Sequence, residues 1–161
     1  MNRDARDTAL ALLARRSHTR WELSRKLSRK GFPPPEVAAV LEDLAARGYL
    51  DDARTAAAVA AAQAGKGRGK ARIASELSAR GVSAPDRDRV LAGLDPSAER
   101  QALRRALERK ARALPAGLTP GARSKKLFDH LVRRGFAPAA VLEALHRKGD
   151  TSDDDSPEVD V

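Results

Sequence analysis

The 161-residue sequence has no cysteine, one methionine and only five aromatic residues, and it contains no long apolar run. Without cysteine, the chain can form neither a disulfide framework nor a thiolate metal site, and it has no thiol nucleophile. No segment approaches the ~20 consecutive apolar residues that span a bilayer. The polar start of the chain shows no signal peptide. These absences predict a cytoplasmic protein that does not associate with membranes.

Residues that could build a catalytic or metal site are also scarce. His18, His130 and His146 are scattered, and no two of them have the i,i+4 spacing that suits a zinc site on a helix. We therefore expect each histidine at the surface or at a boundary. The chain offers no other catalytic constellation, so the sequence predicts a protein without enzymatic activity and without a cofactor.

The segment GKGRGK at 65–70 resembles a phosphate-binding loop only superficially, because it lacks the spacing and the GK[ST] ending of a P-loop. Two interpretations remain open. The segment is either a flexible basic hinge, or a contact for nucleic-acid phosphates through glycine backbone and nearby cations.

Positive charge is the clearest excess in the composition. The chain has 31 Lys and Arg against 22 Asp and Glu, and six of the acids lie from Asp150 onward, where there is no base. Residues 1–149 therefore hold 31 basic and 16 acidic side chains, a net formal charge of +15. Such a body repels itself and favours a polyanionic partner, although many of these cations could simply solvate the outer faces of helices. We expect the acidic residues 150–161 to compete with that partner for the basic surface.

An internal repeat organises the rest of the sequence. LSRKGF at 27–32 recurs as LSARGV at 77–82 and as LVRRGF at 131–136, at offsets of 50 and 54 residues. An aliphatic residue precedes each copy by four positions, and a leucine follows each copy by nine. This spacing places the apolar side chains on one helical face, so the chain holds three copies of one helical unit.

Each copy predicts three helices, and the chain shows no strand-like alternation. The first helices are expected at 4–16, 52–64 and 98–113, the second at 20–30, 70–80 and 124–134, and the third at 36–47, 86–94 and 138–147. The predicted fold is all-α, with three tandem three-helix modules at 1–50, 51–96 and 97–149 that form an elongated, curved, solenoid-like body. Residues 150–161 are expected to be a disordered acidic tail.

Glycine marks the end of each second helix. Gly31, Gly81 and Gly135 follow the last helical residue, where a left-handed backbone closes a helix and only glycine adopts it without strain. Phe32 and Phe136, directly after the glycines, are expected to provide the buried apolar contact of such a cap. These five residues are predicted to be structural.

Further signals mark helix starts and the first joint between modules. Thr19 and the Glu three residues later form a capping box, and Asp51 and Asp52 are placed to cap the helix that follows them. Tyr49 is expected to pack at the joint, and Trp21 against the first helix.

Basic side chains form stripes along several predicted helices, including Arg104, Arg105, Arg109 and Arg112 on one helix of the third module. Such stripes suit a phosphate backbone, which requires spaced positive charge and no reading of bases. The candidate contacts for DNA or a partner protein are Arg25, Arg29, Lys30, Arg54, Lys66, Arg68, Lys70, Arg72, Arg104, Arg105, Arg109, Lys125, Lys126, Arg133 and Arg134.

Several of these stretches together resemble the RecX family, the regulatory proteins of the RecA recombinase. The matching stretches are ALALLARR at 9–16, TxxELxxKLxxKGF at 19–32, VLxxL at 40–44, GYLDDxR at 48–54, GKG at 65–67 and RIxxELxxRGV at 72–82. The third module matches less densely, through KL at 126–127 and RRGF at 133–136. After Arg54 the family usually has an aromatic residue, whereas this chain has Thr55.

The resemblance implies a non-enzymatic modulator, expected to inhibit, that lies in the groove of the RecA–single-stranded DNA filament. It would restrain ATP hydrolysis, strand exchange and filament growth, and so act in homologous recombination, DNA repair and the SOS response. It would act as a monomer and bind single- and double-stranded DNA weakly and without sequence specificity. The alternatives are a stand-alone helix-turn-helix-like DNA-binding regulator and a helical scaffold for other proteins.

Overall fold

A computed structural model describes residues 4–150, and within this range the chain forms nine α helices and no strand. The helices are α1 (Ala5–Leu13), α2 (Arg20–Arg29), α3 (Pro34–Ala46), α4 (Asp52–Gly65), α5 (Lys70–Ala79), α6 (Ala84–Ala92), α7 (Pro96–Arg112), α8 (Pro120–Arg133) and α9 (Pro138–Asp150). The all-α class and the order of the nine predicted helices are confirmed. The predicted disordered tail, apart from Asp150, lies outside the described residues.

The described chain divides into two compact units. Unit 1 comprises the residues up to Ala62 together with Ala74–Gly93, and unit 2 comprises Gln63–Ile73 together with the residues from Leu94 on. Helix α5 is therefore shared, since its first turn belongs to unit 2 and the remainder to unit 1.

Each unit has its own apolar core, built from the repeat positions. In unit 1 the core consists of Ala9, Leu23, Leu27, Val37, Leu41, Leu44 and Leu50. In unit 2 it consists of Ala102, Leu103, Ala106, Leu107, Ala111, Leu127, Leu131, Phe136, Val141 and Ala144. Both cores join the same face of a first, a second and a third helix, as the periodicity predicts.

Some helix boundaries differ from the prediction. Helix α8 begins at Pro120, one turn earlier than expected, because the Thr119 hydroxyl accepts a hydrogen bond from Ala122 N and Pro120 suits the first helical position. Helix α1 ends at Leu13 and not at 16, since the chain turns there towards the cap of α2.

The three predicted glycine caps are confirmed. Gly31, Gly81 and Gly135 have φ values of 91°, 74° and 91°. In each cap the glycine N–H donates to the carbonyl three residues back, and the next N–H donates to the carbonyl five residues back. This is the Schellman arrangement, which satisfies carbonyls that the end of a helix would otherwise leave unpaired. The apolar partner is half-buried at Phe32 and buried at Phe136.

The start of one second helix meets the carbonyl end of the next second helix in both units. In unit 1 the Thr19 hydroxyl, at the start of α2, donates to Arg80 O, at the end of α5, over 2.5 Å. In unit 2 Gly69 N, at the start of α5, donates to Arg134 O, at the end of α8, over 2.9 Å. The partners stand at repeat-equivalent positions, but the donor is a side-chain hydroxyl in unit 1 and a backbone N–H in unit 2. Each time, a carbonyl at a helix end, which lacks an intrahelical partner, accepts a hydrogen bond from the start of another helix.

Glycine allows these contacts to be close. A Cβ atom on Gly81 would lie 2.5 Å from Trp21 Cγ, and a Cβ on Gly135 would collide with the backbone of Arg72. A Cβ on Gly69 would collide with the backbone of Gly135 and Phe136, whereas a Cβ on Gly31 would meet nothing within 4 Å. Gly31 is therefore needed only for its left-handed backbone.

Tyr49 and Asp52, near the α2 and α4 starts, behave differently from the prediction. The Tyr49 side chain is 57% exposed, and Leu50 is the residue of the joint that is buried. Asp51 caps α4 by accepting from Arg54 N, but Asp52 accepts from Arg20 N at the start of α2.

Trp21 has a neighbour that the sequence does not predict. Its ring lies against Gly81, at the end of α5, and the Arg25 guanidinium stacks over it at 4.5 Å. The ring is still 41% exposed. The pattern of one helix could not show this, because the partner surface comes from the next module.

His18 is buried, contrary to the expectation of a surface or boundary residue. Its exposure is 2%, Nδ1 lies 2.9 Å from Arg16 O, and Nε2 has no hydrogen-bond partner among the described residues. Because a carbonyl oxygen only accepts, Nδ1 carries the proton in this arrangement. Burial is the main cause that lowers the pKa of His18, and it outweighs the bond to the Arg16 carbonyl, which alone would raise it.

A set of alanine substitutions separates the two roles of glycine. Gly31→Ala should lose about 1–2 kcal/mol through left-handed strain alone, and Gly69→Ala about 1–3 kcal/mol through collision alone. Gly135→Ala combines both effects and should lose the most. Urea unfolding of the three variants measures the losses. Equal losses at Gly31 and Gly135 would show that the α5–α8 contact is not tight.

The lowered pKa of His18 makes stability depend on pH. Below the ordinary histidine pKa of ~6.5 the unfolded chain binds a proton that folded His18 does not. The free energy of unfolding should therefore fall as the pH drops from about 7.5 to 5. In His18→Gln the fall should be shallower, by at most about 1.4 kcal/mol per pH unit. Denaturant titrations over this range measure it, with the exposed His146→Gln as the control. An unchanged slope in His18→Gln would contradict the assignment.

Candidate polyanion-binding cleft

Unit 2 contains a basic cleft between the segment 64–70 and helix α7. The cleft has a volume of about 640 Å³. Its lining consists of Ala64, Gly65, Lys66, Gly67, Arg68, Lys70, Ile73, Leu94, Asp95, Ala98, Glu99, Ala102, Arg105, Glu108, Arg109 and Arg112. We call this the basic cleft, since six of these residues are cationic and three are acidic.

The glycine-rich segment forms one wall and is held in place by unit 2 itself. Gly67 closes α4 with a φ of 67°, and Arg68 N donates back to Gln63 O. The Arg134 guanidinium, at the end of α8, donates to the carbonyls of Lys66 and Gly67, over 2.9 Å each. The segment is therefore anchored at both ends and is not a loose hinge in this structure.

The backbone amides of this segment are not available to a ligand. Lys66, Gly67 and Arg68 donate their N–H groups to carbonyls of α4, and Gly69 donates to Arg134 O. Lys70 N donates to the Glu99 carboxylate over 3.2 Å. The backbone part of the predicted phosphate contact at GKGRGK therefore has no free N–H donor at residues 66–70, and the contact through nearby cations stays a prediction. A phosphate could be bound here only by side chains.

Helix α7 forms the opposite wall with one of its faces. Ala98, Ala102, Arg105, Arg109 and Arg112 recur at the spacing of a single helical face, and all of them line the basic cleft. The two alanines keep the floor shallow, and the three arginines are exposed. This geometry presents three guanidinium groups in a row along about two turns of helix.

Few acidic groups balance the cations of the cleft. Lys70 Nζ lies 3.9 Å from Glu99, and the Asp95 carboxylate caps α7 by accepting from Ser97 N. Within the described chain, no carboxylate forms an ion pair with Arg68, Arg105, Arg109 or Arg112. The cleft therefore carries uncompensated positive charge that an anion would neutralise.

Two neighbouring groups respond to this charge. Burial, followed by the positive charges of Arg68 and Arg109, lowers the pKa of the Arg134 guanidinium. Burial, followed by the charges of nearby cations led by Lys110, lowers the pKa of His130. A bound anion would relieve this repulsion, because it favours the charged form of both groups.

The structure separates the predicted contact residues by their surroundings. Lys66, Arg68, Lys70, Arg105 and Arg109 meet in the basic cleft. The remaining unit 2 candidates are Arg72, Arg104, Lys125, Lys126, Arg133 and Arg134, which do not line the cleft. Arg104 lies with Arg147 on the α9 side of α7, and Lys126 and Arg133 lie with Lys110 on the α8 side.

Four candidates lie in unit 1. Arg29 and Lys30 are exposed near the end of α2, and Arg25 is exposed above Trp21. Arg54 is exposed as well, but its guanidinium donates to Gly48 O over 3.1 Å and so supports the joint.

Sequence reasoning missed three features of the site. Glu99 caps α5 and pairs with Lys70 from 29 positions away, which no local pattern reveals. Arg112 belongs to the predicted stripe but was not among the candidate contacts, although it lines the cleft. Arg134 was a candidate contact, yet its side chain holds the 66–67 carbonyls.

No group of three or more metal-ligating side chains occurs in the described range. Among the helices of that range, none is both long and apolar enough to cross a membrane.

Comparison with known proteins gives one consistent family. The models for the first and second three-helix domains of RecX match residues 5–44 and 51–91. The regulatory protein RecX of Halorhodospira halophila is 40% identical over 154 residues, which cover 94% of this chain and 92% of that protein. That of Mycobacterium avium is 34% identical over 142 residues, covering 88% and 82%.

Solved structures agree on the fold. The crystal structure of RecX from Lactobacillus salivarius has a TM-score of 0.80 at 16% identity, covering 91% of this chain and 95% of that one. A second crystal structure of a regulatory protein RecX has a TM-score of 0.81 at 21% identity, covering 89% and 71%.

The structural role of Arg134 can be tested against its neighbour. Arg134→Ala leaves the carbonyls of Lys66 and Gly67 without their charged donor and should lower the free energy of unfolding by about 1.5–3 kcal/mol. Arg133→Ala removes the same charge from an exposed position and should change it by no more than about 0.5 kcal/mol. Urea unfolding of both variants measures the difference. Equal, small effects would mean that Arg134 does not hold the segment.

Proposed function

The chain belongs to the RecX family of regulatory proteins, and we propose that it is a non-enzymatic modulator of the RecA recombinase. The observation that carries the proposal is the similarity to a regulatory protein RecX across 94% of the chain. The similarity is not confined to one module. The family resemblance further implies that the chain binds in the groove of the RecA–single-stranded DNA filament and restrains ATP hydrolysis, strand exchange and filament growth.

The basic cleft supports a polyanionic target. Arg105, Arg109 and Arg112 offer spaced guanidinium groups with no paired carboxylate, and Lys66 and Arg68 face them from the other wall. Spaced cations of this kind bind phosphates or carboxylates without reading bases. The RecA filament supplies DNA phosphates, and we propose that the cleft contacts them weakly and without sequence specificity while the chain acts as a monomer.

A stand-alone helix-turn-helix regulator is less well supported. Such a protein reads base edges in the major groove with Arg, Asn or Gln from a recognition helix. The exposed residues on the body of α3 include Glu36, Ala38, Ala39 and Glu42. Carboxylates on that helix would be repelled by the DNA backbone.

The proposal predicts a defined effect on RecA. At stoichiometric concentration the chain should lower ATP hydrolysis by RecA on single-stranded DNA severalfold, in a steady-state assay with and without the chain. Two outcomes together would overturn the proposal. One is unchanged hydrolysis, and the other is a preference of ~10³ or more for one duplex site over random duplex, which marks a sequence-specific regulator.

A matched pair of variants tests which face of α7 binds the anion. Arg105→Glu with Arg109→Glu reverses the cleft face, and Arg100→Glu with Arg104→Glu makes the same change, at the same spacing, on another face. Only the first pair should weaken binding to oligo-dT substantially. For this pair, the slope of the logarithm of the binding constant against the logarithm of the salt concentration should also become shallower, by about 0.7 for each lost phosphate contact. Equal weakening would assign the binding to net charge and not to the cleft.

A further inference from the structure

The position of the basic cleft relative to the end of α9 has a consequence for residues 150–161, the acidic tail. Near the end of α9, Arg147 and Lys148 share a small hollow with Arg104 and Glu108 of α7. Glu108 also lines the basic cleft. The chain therefore leaves α9 beside the wall of the cleft that carries Arg105 and Arg109.

The tail is long enough to lie across the cleft. The 11 residues after Asp150 span up to about 37 Å when extended, at roughly 3.4 Å per residue. A cleft of about 640 Å³ holds only part of an extended chain of that length. Helix α9, from which the tail continues, and the cleft both belong to unit 2, so reaching the cleft requires no rearrangement between the two units.

The tail also matches the cleft in charge. It carries six acids and no base, whereas the cleft has six cations, and among the described residues Lys70 is the one of these six that pairs with an acid. The last five residues, PEVDV, alternate apolar and acidic side chains. In an extended chain such alternation places the apolar side chains on one side and the acidic side chains on the other. The cleft offers the half-buried Leu94 and the exposed Ala98 besides its cations.

We propose that the acidic tail occupies the basic cleft of its own chain and must leave before a nucleic-acid phosphate or another polyanion can bind there. The tether raises the effective concentration of the tail at the cleft to the mM range, so even a weak intrinsic interaction keeps the cleft partly filled. The consequence for regulation rests on the proposed function, but the occupancy itself does not.

The occupancy can be measured without DNA or RecA. The full-length chain is compared with a tail-neutral chain that carries Asp153→Asn, Asp154→Asn, Asp155→Asn, Glu158→Gln and Asp160→Asn. Amide chemical shifts at low salt should differ at residues 64–70 and along 98–112, and the differences should vanish in about 1 M NaCl, where the Debye length is 3 Å. Differences that are absent, or that spread equally over α2, would overturn the proposal.

A zero-length carbodiimide cross-link gives a second readout on the unaltered chain. Lys66 should be joined to a carboxylate of the tail, as identified by peptide mass spectrometry. The yield should fall severalfold in Arg105→Gln with Arg109→Gln, whereas Arg15→Gln with Arg100→Gln removes the same charge outside the cleft and should keep the yield. No Lys66–tail product in the unaltered chain would overturn the proposal.

Binding to oligo-dT tests whether the tail competes with nucleic acid for the basic cleft. Neutralising the tail should tighten binding about two- to fivefold at low salt, as expected for a competitor present at an effective concentration near its own dissociation constant. With Arg105→Gln and Arg109→Gln this gain should disappear, and a gain that persists would overturn competition at the cleft. An occupied cleft with no effect on RecA would overturn only the proposed function.

Discussion

The close contact between the ends of successive second helices constrains most of this structure. At each contact the start of one helix meets the carbonyl end of the next, once in each unit. Each contact brings a C=O group that lacks an intrahelical partner next to the start of another helix, so that opposite partial charges meet. A Cβ atom at Gly69 or Gly135 would collide with backbone atoms, and a Cβ at Gly81 would collide with the Trp21 side chain. Gly31 has the same conformation but no such neighbour.

The repeat has diverged at these contacts in a way that creates the basic cleft. Thr19 starts α2 with a side-chain cap, whereas the equivalent position at the start of α5 is Gly69, which has no side chain to offer. In place of a side-chain cap, the carbonyl of Arg134 accepts from Gly69 N and the carboxylate of Glu99 accepts from Lys70 N. This arrangement holds segment 65–69 opposite the arginine face of α7. The cleft is thus a consequence of how unit 2 completes the end of α5.

Repeat-equivalent basic residues have acquired different roles. Lys30, Arg80 and Arg134 each directly precede a glycine cap. Arg80 pairs with Glu76 and Glu22, and Arg134 holds two carbonyls of the glycine-rich segment. Lys30 is exposed and remains suited to bind a partner. A regulatory protein can divide its cations in this way, because charge that stabilises a module at one position can contact a partner at another.

The local features of this protein were determined by the sequence itself. The repeat, the glycine caps, the capping box and the helix order follow from spacing and from backbone preferences that act over a few residues, and the structure confirms them. The motifs also sufficed to identify the family. Periodicity shows which face of a helix is buried, but not which distant segment covers it. The burial of His18, the exposure of Tyr49 and the structural role of Arg134 were therefore decided by the tertiary structure. The basic cleft joins segments that lie about 20 to 50 residues apart. The cleft exists only because packing brings Glu99 and the α7 arginines to the loop at 64–70, whose surroundings the sequence pattern does not predict.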